Sequence, residues 1–186
     1  EFDGQHPALR EEMAYESFHM QHCLGQFARM DKLTGGYGEG YAQDVQRGLT
    51  RLFTLRSAGN QPHVTISLHV RQGRLCIDQI KGKQNRHPIR RYADDVLQFL
   101  RLLALPGDRN ADCEGMGIVH EPAPDDTPPG GAPGWKFITE VRDMDFLTSA
   151  MHANFQLIEQ FEHPSAALQW LLLRLAVMVL VVEAGR

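Results

Sequence analysis

Apolar positions Met13, Met20, Leu24 and Phe27 recur along residues 7–30 at three-, four- and seven-residue spacings, which predicts one amphipathic helix. The run LTGGYGEGY at 33–41 carries four glycines and reads as a loop. Its glycines lack the spacing and the strand-to-helix setting of a phosphate-binding fingerprint. Three strands follow, at 51–57, 63–70 and 74–81. The middle one alternates, with Val64, Ile66, Leu68 and Val70 on one face and His63, Thr65, Ser67 and His69 on the other. Gln72-Gly73 suits a tight hairpin turn. A two-residue loop puts Leu75 and Ile77 in the apolar row, whereas a three-residue loop slips them to the histidine face; the first is preferred.

Further along, a helix is expected from Pro88, a favoured first helical position, to Leu105, ended by Pro106-Gly107. EPAPDDTPPGGAPG, 121–134, reads as a linker in which nothing can pack. Beyond it, 135–141 reads as a strand and 144–161 as a helix. The expected fold is therefore α+β: a small antiparallel sheet of three or four strands packed with helices, then a C-terminal helical segment. The expected division is a core at 1–120, the linker at 121–134, and a segment at 135–186 docking on the core.

The most apolar run, LQWLLLRLAVMVLVV at 168–182, has 15 residues with Arg174 near its middle. A membrane span needs about 20, so a buried helix is expected rather than a span. Val177, Val179, Val181 and Val182 leave a terminal strand open, and an apolar surround also suits an oligomer or partner surface.

Composition adds little to this picture. At 186 residues, 42% hydrophobic and 23% charged, the chain can build a core. A net charge of −4 gives no global attraction to nucleic acid or acidic membranes, so such binding needs a local basic patch. Cys23, Cys76 and Cys113 are sparse and odd in number, which argues for a reducing, cytoplasmic setting and against a disulfide framework. The chain opens Glu-Phe without a methionine and reads as a fragment.

Three groups carry candidate chemistry. On the expected helix, His19, His22 and Cys23 share a face at i, i+3 and i+4. Cys23 is open to three readings: packing, a nucleophile, or a metal ligand. Zinc needs further ligands, and the six residues between Cys113 and His120 fall outside common ligand spacing, so no metal or other cofactor is expected. The catalytic candidates are Cys23, His63 and His22, with His19 as an alternative base and Gln79 or Asn85 as oxyanion donors. The second group, QIKGKQNRHP at 79–88, clusters Lys81, Lys83, Arg86 and His87 before a helix start and suits an anion or phosphate, or only a solvated loop. No aromatics interleave it, so base-reading of a single strand is unsupported, while phosphate contact, nucleic acid included, stays open. The third group, Arg56, His63 and Thr65, shares the turn end of neighbouring strands with Gln79 and Lys81; such a face is commonly just wet.

In order, Met-x-His-Cys-Leu-Gly-x-Phe (20–27), Tyr-x3-Val-x2-Gly (41–48), Leu-Arg…Pro-His-x-Thr (55–65) and Gln-Ile-Lys-Gly-Lys-x-Asn-Arg-x-Pro (79–88) resemble the PcfJ-like domain of conjugative plasmids, phages and related bacterial elements. The resemblance covers roughly residues 12–105 and carries over His22, Cys23, Gly25, Arg56, His63, Thr65, Gln79, Lys81, Gly82 and Asn85. It implies a bacterial mobile-element or effector-type context, with delivery into a target-cell cytosol if an effector, but no reaction. Leu24 and Phe27 stand where Val and Tyr are usual. Ser67 stands where Glu is frequent, which removes a carboxylate from the polar face. The expected function is an accessory domain binding a phosphate-bearing or protein partner through that face and the basic loop, with Arg56, Thr65, Gln79, Lys81, Lys83, Asn85 and Arg86 as ligand-binding residues. The alternative is a cysteine-dependent hydrolase or transferase.

Overall fold

The computed structural model describes residues 1–27, 36–122, 134–160 and 164–184. The fold is α+β, with a three-stranded antiparallel sheet and a separate two-stranded one. The chain divides into two compact units, Glu1–Asp95 and Val96–Arg186. That boundary falls inside a helix and not at the Pro/Gly run.

In the first unit, α1 (Leu9–Met20) buries Leu9, Met13, Glu16 and Met20 along one stripe. It ends ten residues sooner than its apolar spacing suggests. Gln21 adopts the left-handed conformation (φ 56°, ψ 44°) and its N–H donates to the Ser17 carbonyl at 2.8 Å. The chain then folds back through a 3-10 turn, Cys23–Gly25. This return requires a glycine at 25: a Cβ there would lie 2.6 Å from Ser17 Cβ and 2.8 Å from Ala14 Cα. His19, His22 and Cys23 therefore do not share one helical face. Residues 28–30 of the expected helix lie outside the described residues.

The glycine-rich run also departs from expectation. From Tyr37 it is helical, as α2 (Tyr37–Gln46), while 33–35 lie outside the described residues. A Cβ at Gly38 would meet the Leu24 carbonyl oxygen at 2.3 Å, so this glycine serves close helix approach and not loop freedom. Tertiary packing overrides the low helix propensity of glycine here.

The sheet is a meander of β1 (Thr50–Arg56), β2 (Pro62–Arg71) and β3 (Arg74–Lys81). Arg71 pairs with Arg74 around a two-residue turn in which Gln72 (φ 51°) and Gly73 (φ 75°) are both left-handed, so the preferred register holds. Val70 opposes Leu75 and Leu68 opposes Ile77, in one apolar row. Then the register slips: Ser67 opposes Gln79, and Thr65 opposes Lys81. Asp78 is the extra residue of a β-bulge. Strict alternation would place Gln79 and Lys81 in the row of Ile77; the bulge moves them beside Thr65 and Ser67. Helix α1 lies against β2 and α2 against β1. Phe2, Leu9, Met13, Leu24, Ala42, Val45 and Leu52 form the core of this unit. Because Leu52 opposes Ser67, that core abuts the polar face of the sheet, which is covered and not wet.

The expected helix from Pro88 begins later. Ile89 is extended, Arg90–Tyr92 is a 3-10 turn, and α3 runs Ala93–Leu102. In the second unit α4 (Ala111–Gly115), capped by Asn110, leads into β4 (Ile118–Glu121), which pairs antiparallel with β5 (Gly134–Phe137). The Pro/Gly run thus connects two paired strands instead of two domains, though 123–133 themselves lie outside the described residues. The expected strand at 135–141 is cut short by a 3-10 turn, Ile138–Glu140. Asn154 is extended and accepts from the Gln156 N–H at 2.9 Å, splitting the expected helix into α5 (Met144–Ala153) and α6 (Phe155–Glu159). The last element, α7 (Pro164–Ala184), is helical to its end, so the β-branched residues Val177, Val179, Val181 and Val182 form no terminal strand. Its Ala167 joins the core of Val119, Ile138, Val141, Leu147 and Leu157, while Leu168, Leu172 and Leu173 are exposed. Arg174 donates to the Val141 and Thr139 carbonyls. Among the described residues no helix is long and apolar enough to cross a membrane.

Candidate functional site

The turn after α1, the polar face of the sheet and the turn after β3 meet at a small cavity of about 40 Å³. Its lining is His22, Cys23, Leu24, Tyr41, Leu52, Thr65, Ser67, Gln79, Lys81 and Asn85. Six candidates from the sequence, His22, Cys23, Thr65, Gln79, Lys81 and Asn85, are thereby brought together. The 3-10 turn Lys83–Asn85 supplies Asn85, with Gln84 (φ 61°) and Asn85 (φ 56°) both left-handed. The Gln84 amide donates to Gln21 Oε1 at 2.9 Å and ties this turn to the end of α1.

Behind the cavity lies a buried polar chain. The Leu24 N–H donates to His22 Nδ1 at 3.4 Å, so that nitrogen carries the lone pair and Nε2 carries the proton. Nε2 donates to Thr65 Oγ1 at 3.1 Å, and the Thr65 hydroxyl donates to Glu16 Oε1 at 2.6 Å. Arg56 completes the chain by donating to Glu16 Oε2 at 2.9 Å. Glu16 is 0% exposed, and burying a carboxylate is costly unless its oxygens are hydrogen-bonded, as both are here. Burial holds the His22 imidazole below its ordinary pKa, against the weaker pull of Glu16. A protonated Nδ1 would also face the Leu24 N–H, which reinforces the neutral form.

Glu16 was missed in the sequence, yet a signal was present: it lies between Met13 and Met20 on the apolar stripe, where a carboxylate needs a reason. Asp78 was missed as well. At the bulge its carboxylate accepts from Ser67 Oγ at 3.0 Å and lies 3.5 Å from His69 Nε2. A carboxylate thus reaches the Ser67 face from the next strand. Burial, with Asp78 nearby, also raises the Tyr41 phenol pKa.

The remaining candidates are placed elsewhere. Arg56 is committed to Glu16 and to Asn60 Oδ1 at 3.1 Å, so it balances a buried charge instead of facing the cavity. His63 stacks on Tyr92, ring centroids 4.9 Å apart, and does not line the cavity. His19 lies against Tyr15, 4.4 Å between centroids, and near Gln61. Lys83 and Arg86 are exposed beside the cavity without lining it. Among the described residues no imidazole hydrogen-bonds the Cys23 thiol, and the nitrogens of His22 are both engaged. No group of three or more His, Cys, Asp or Glu is placed to share a metal ion among the described residues.

A larger cavity of about 280 Å³ occurs in the second unit, lined by His120, Trp135, Phe146, Cys113 and the Arg109–Glu114 pair among others. There the cation is neutralised by its carboxylate, and burial pushes the Cys113 thiol far up. The smaller cavity is the better candidate because motif residues from four segments converge on it. Compared with known protein families, with curated proteins and with solved structures, the chain matches none.

Proposed function

We infer that the first unit is a binding domain that takes a phosphoryl group of its ligand in the cavity at Gln79, Lys81 and Asn85. One observation carries this reading: the lining holds a lysine, the side-chain amides of Gln79 and Asn85 and the Tyr41 hydroxyl, and no carboxylate. The carboxylates nearest the lining, Glu16 and Asp78, accept from Thr65 and Arg56 and from Ser67 respectively. A volume of about 40 Å³ has room for about three water-sized atoms, which suits the terminal oxygens of a phosphate monoester. The neutral, doubly engaged His22 acts in this reading as a fixed wall and not as a base. The ordered motifs shared with PcfJ-like domains support an accessory role in a bacterial mobile-element or effector-type protein.

Inorganic phosphate followed by amide chemical-shift changes tests the reading. Shifts at Gln79, Lys81 and Asn85 are expected, and Lys81→Met should weaken binding roughly tenfold or more, the scale of one charge-assisted hydrogen bond. Cys23→Ser should leave the affinity nearly unchanged. Loss of a hydrolase or transferase activity in Cys23→Ser, with Lys81→Met still active, would favour the cysteine-dependent alternative instead.

A further inference from the structure

The segment after β3 carries more cationic charge than the cavity uses. From Ile80 to Ala93 there are two lysines and three arginines and no Asp or Glu. Lys83, Arg86, Arg90 and Arg91 are exposed, and among the described residues their side chains make no ion pair or hydrogen bond. Five arginines elsewhere are ion-paired, Arg10 with Glu39, Arg51 with Glu1, Arg56 with Glu16, Arg101 with Glu140 and Arg109 with Glu114. Of the exposed arginines without an ion pair outside this segment, only Arg71 and Arg74 are neighbours, across the hairpin turn. The four cations here are therefore the largest unpaired group among the described residues.

These four cations are also gathered in space. Gly82 N–H donates to the Arg86 carbonyl at 2.8 Å, and a Cβ on Gly82 would sit 3.1 Å from Pro88 Cα, so 82–88 is a closed loop. The segment leaves the sheet at Lys81, opposite Thr65, and returns at Tyr92, stacked on His63. Thr65 and His63 are two residues apart on β2, about 7 Å. Both ends of the excursion are therefore anchored at one end of one strand, beside the cavity, and the guanidinium of Arg91 lies 4.8 Å from the Tyr92 ring centroid.

We propose that this loop binds the phosphate backbone of a nucleic acid, without reading its sequence, as an extension of the cavity's phosphoryl site on whose reading it rests. Three of the four unpaired cations are arginines, whose planar forks match phosphate oxygens. A bilayer is the poorer fit, because Ile89 is the sole large apolar side chain exposed on the loop, and interfacial anchoring needs a broader apolar face. Base reading is not part of the proposal, since neither a groove-entering helix nor a stacking platform accompanies the cations.

The test is fluorescence polarisation of a labelled 12-nucleotide single-stranded DNA, titrated with the full chain from about 50 to 200 mM NaCl. Four backbone contacts predict a slope of log K against log salt near −2.8, about a fifty-fold loss over that range. The combined variant Lys83→Gln, Arg86→Gln, Arg90→Gln, Arg91→Gln should bind more weakly with a nearly flat slope, while Lys81→Met keeps most of the slope. A wild-type slope near zero, or a quadruple variant indistinguishable from wild type, overturns the proposal. So does equal binding of polyglutamate, or of vesicles of phosphatidylcholine and phosphatidylserine at 7:3. Phosphate shifts at the cavity without oligonucleotide binding would remove the proposal and leave the cavity reading standing. Oligonucleotide binding without phosphate shifts at the cavity would overturn the cavity reading and, with it, the claim that the loop extends that site.

Discussion

Glu16 is the residue on which the first unit's polar interior depends. It is fully buried, and its two oxygens are divided between the Thr65 hydroxyl and the Arg56 guanidinium. Removing one partner of such a pair strands the other charge, so Arg56→Ala should cost about 3–5 kcal/mol in urea unfolding. A double change, Glu16→Gln with Arg56→Met, should cost less than the single one, because no charge is left unpaired. His22 has a separate signature. Its folded pKa lies below the unfolded value of 6.5, so the unfolded chain binds the proton more tightly. The stability tied to this group is complete above about pH 6.5 and is lost as pH falls through the lower folded value. Melting temperatures recorded between pH 7.5 and 5 should fall with pH in the wild type. His22→Gln should flatten part of that slope; an unchanged slope would remove His22 from the account. His120, also lowered by burial, accounts for a remaining share.

At the scale of elements, the strands were legible because alternation is a strong signal: 63–70 was expected and Pro62–Arg71 is found, and the 74–81 bounds coincide. What alternation cannot reveal is a residue that does not count. Asp78 drops out of the pairing, and this alone places Gln79 and Lys81 on the cavity face. Deleting Asp78 should therefore leave the Ser67–Gln79 and Thr65–Lys81 pairs intact, visible as cross-strand NOEs, and loss of both pairs would remove the bulge from the account. The helices were less legible, for two physical reasons. The stripe through Met20 and Leu24 continues at helical spacing across a left-handed Gln21, so periodicity persists where the helix does not. Gly38 reads as loop because local propensity is blind to a neighbouring backbone that excludes a Cβ. Site membership followed the same divide. His22, Cys23, Thr65, Gln79, Lys81 and Asn85 were found by motif, while Glu16 and Asp78 needed the tertiary structure.

For the whole molecule, the first unit contains every residue of the candidate site, and its core of Leu9, Met13, Leu24 and Leu52 packs directly against that site's face. The stability of this unit and the shape of its candidate site therefore rest on the same side chains. The second unit has its own core and its own cavity, with Trp135 donating to the Leu105 carbonyl at 3.0 Å and Arg101 to the Trp135 carbonyl at 2.7 Å. The loop after β3 has a consequence for how the molecule meets a partner. Taking the five cations of 80–93 from a chain of net −4 leaves the remainder at −9. The proposed polyanion would meet net repulsion from the rest of the chain and local attraction at the loop after β3. For that proposed partner, orientation would be selected during the encounter, before any contact forms, and low ionic strength would speed productive collisions.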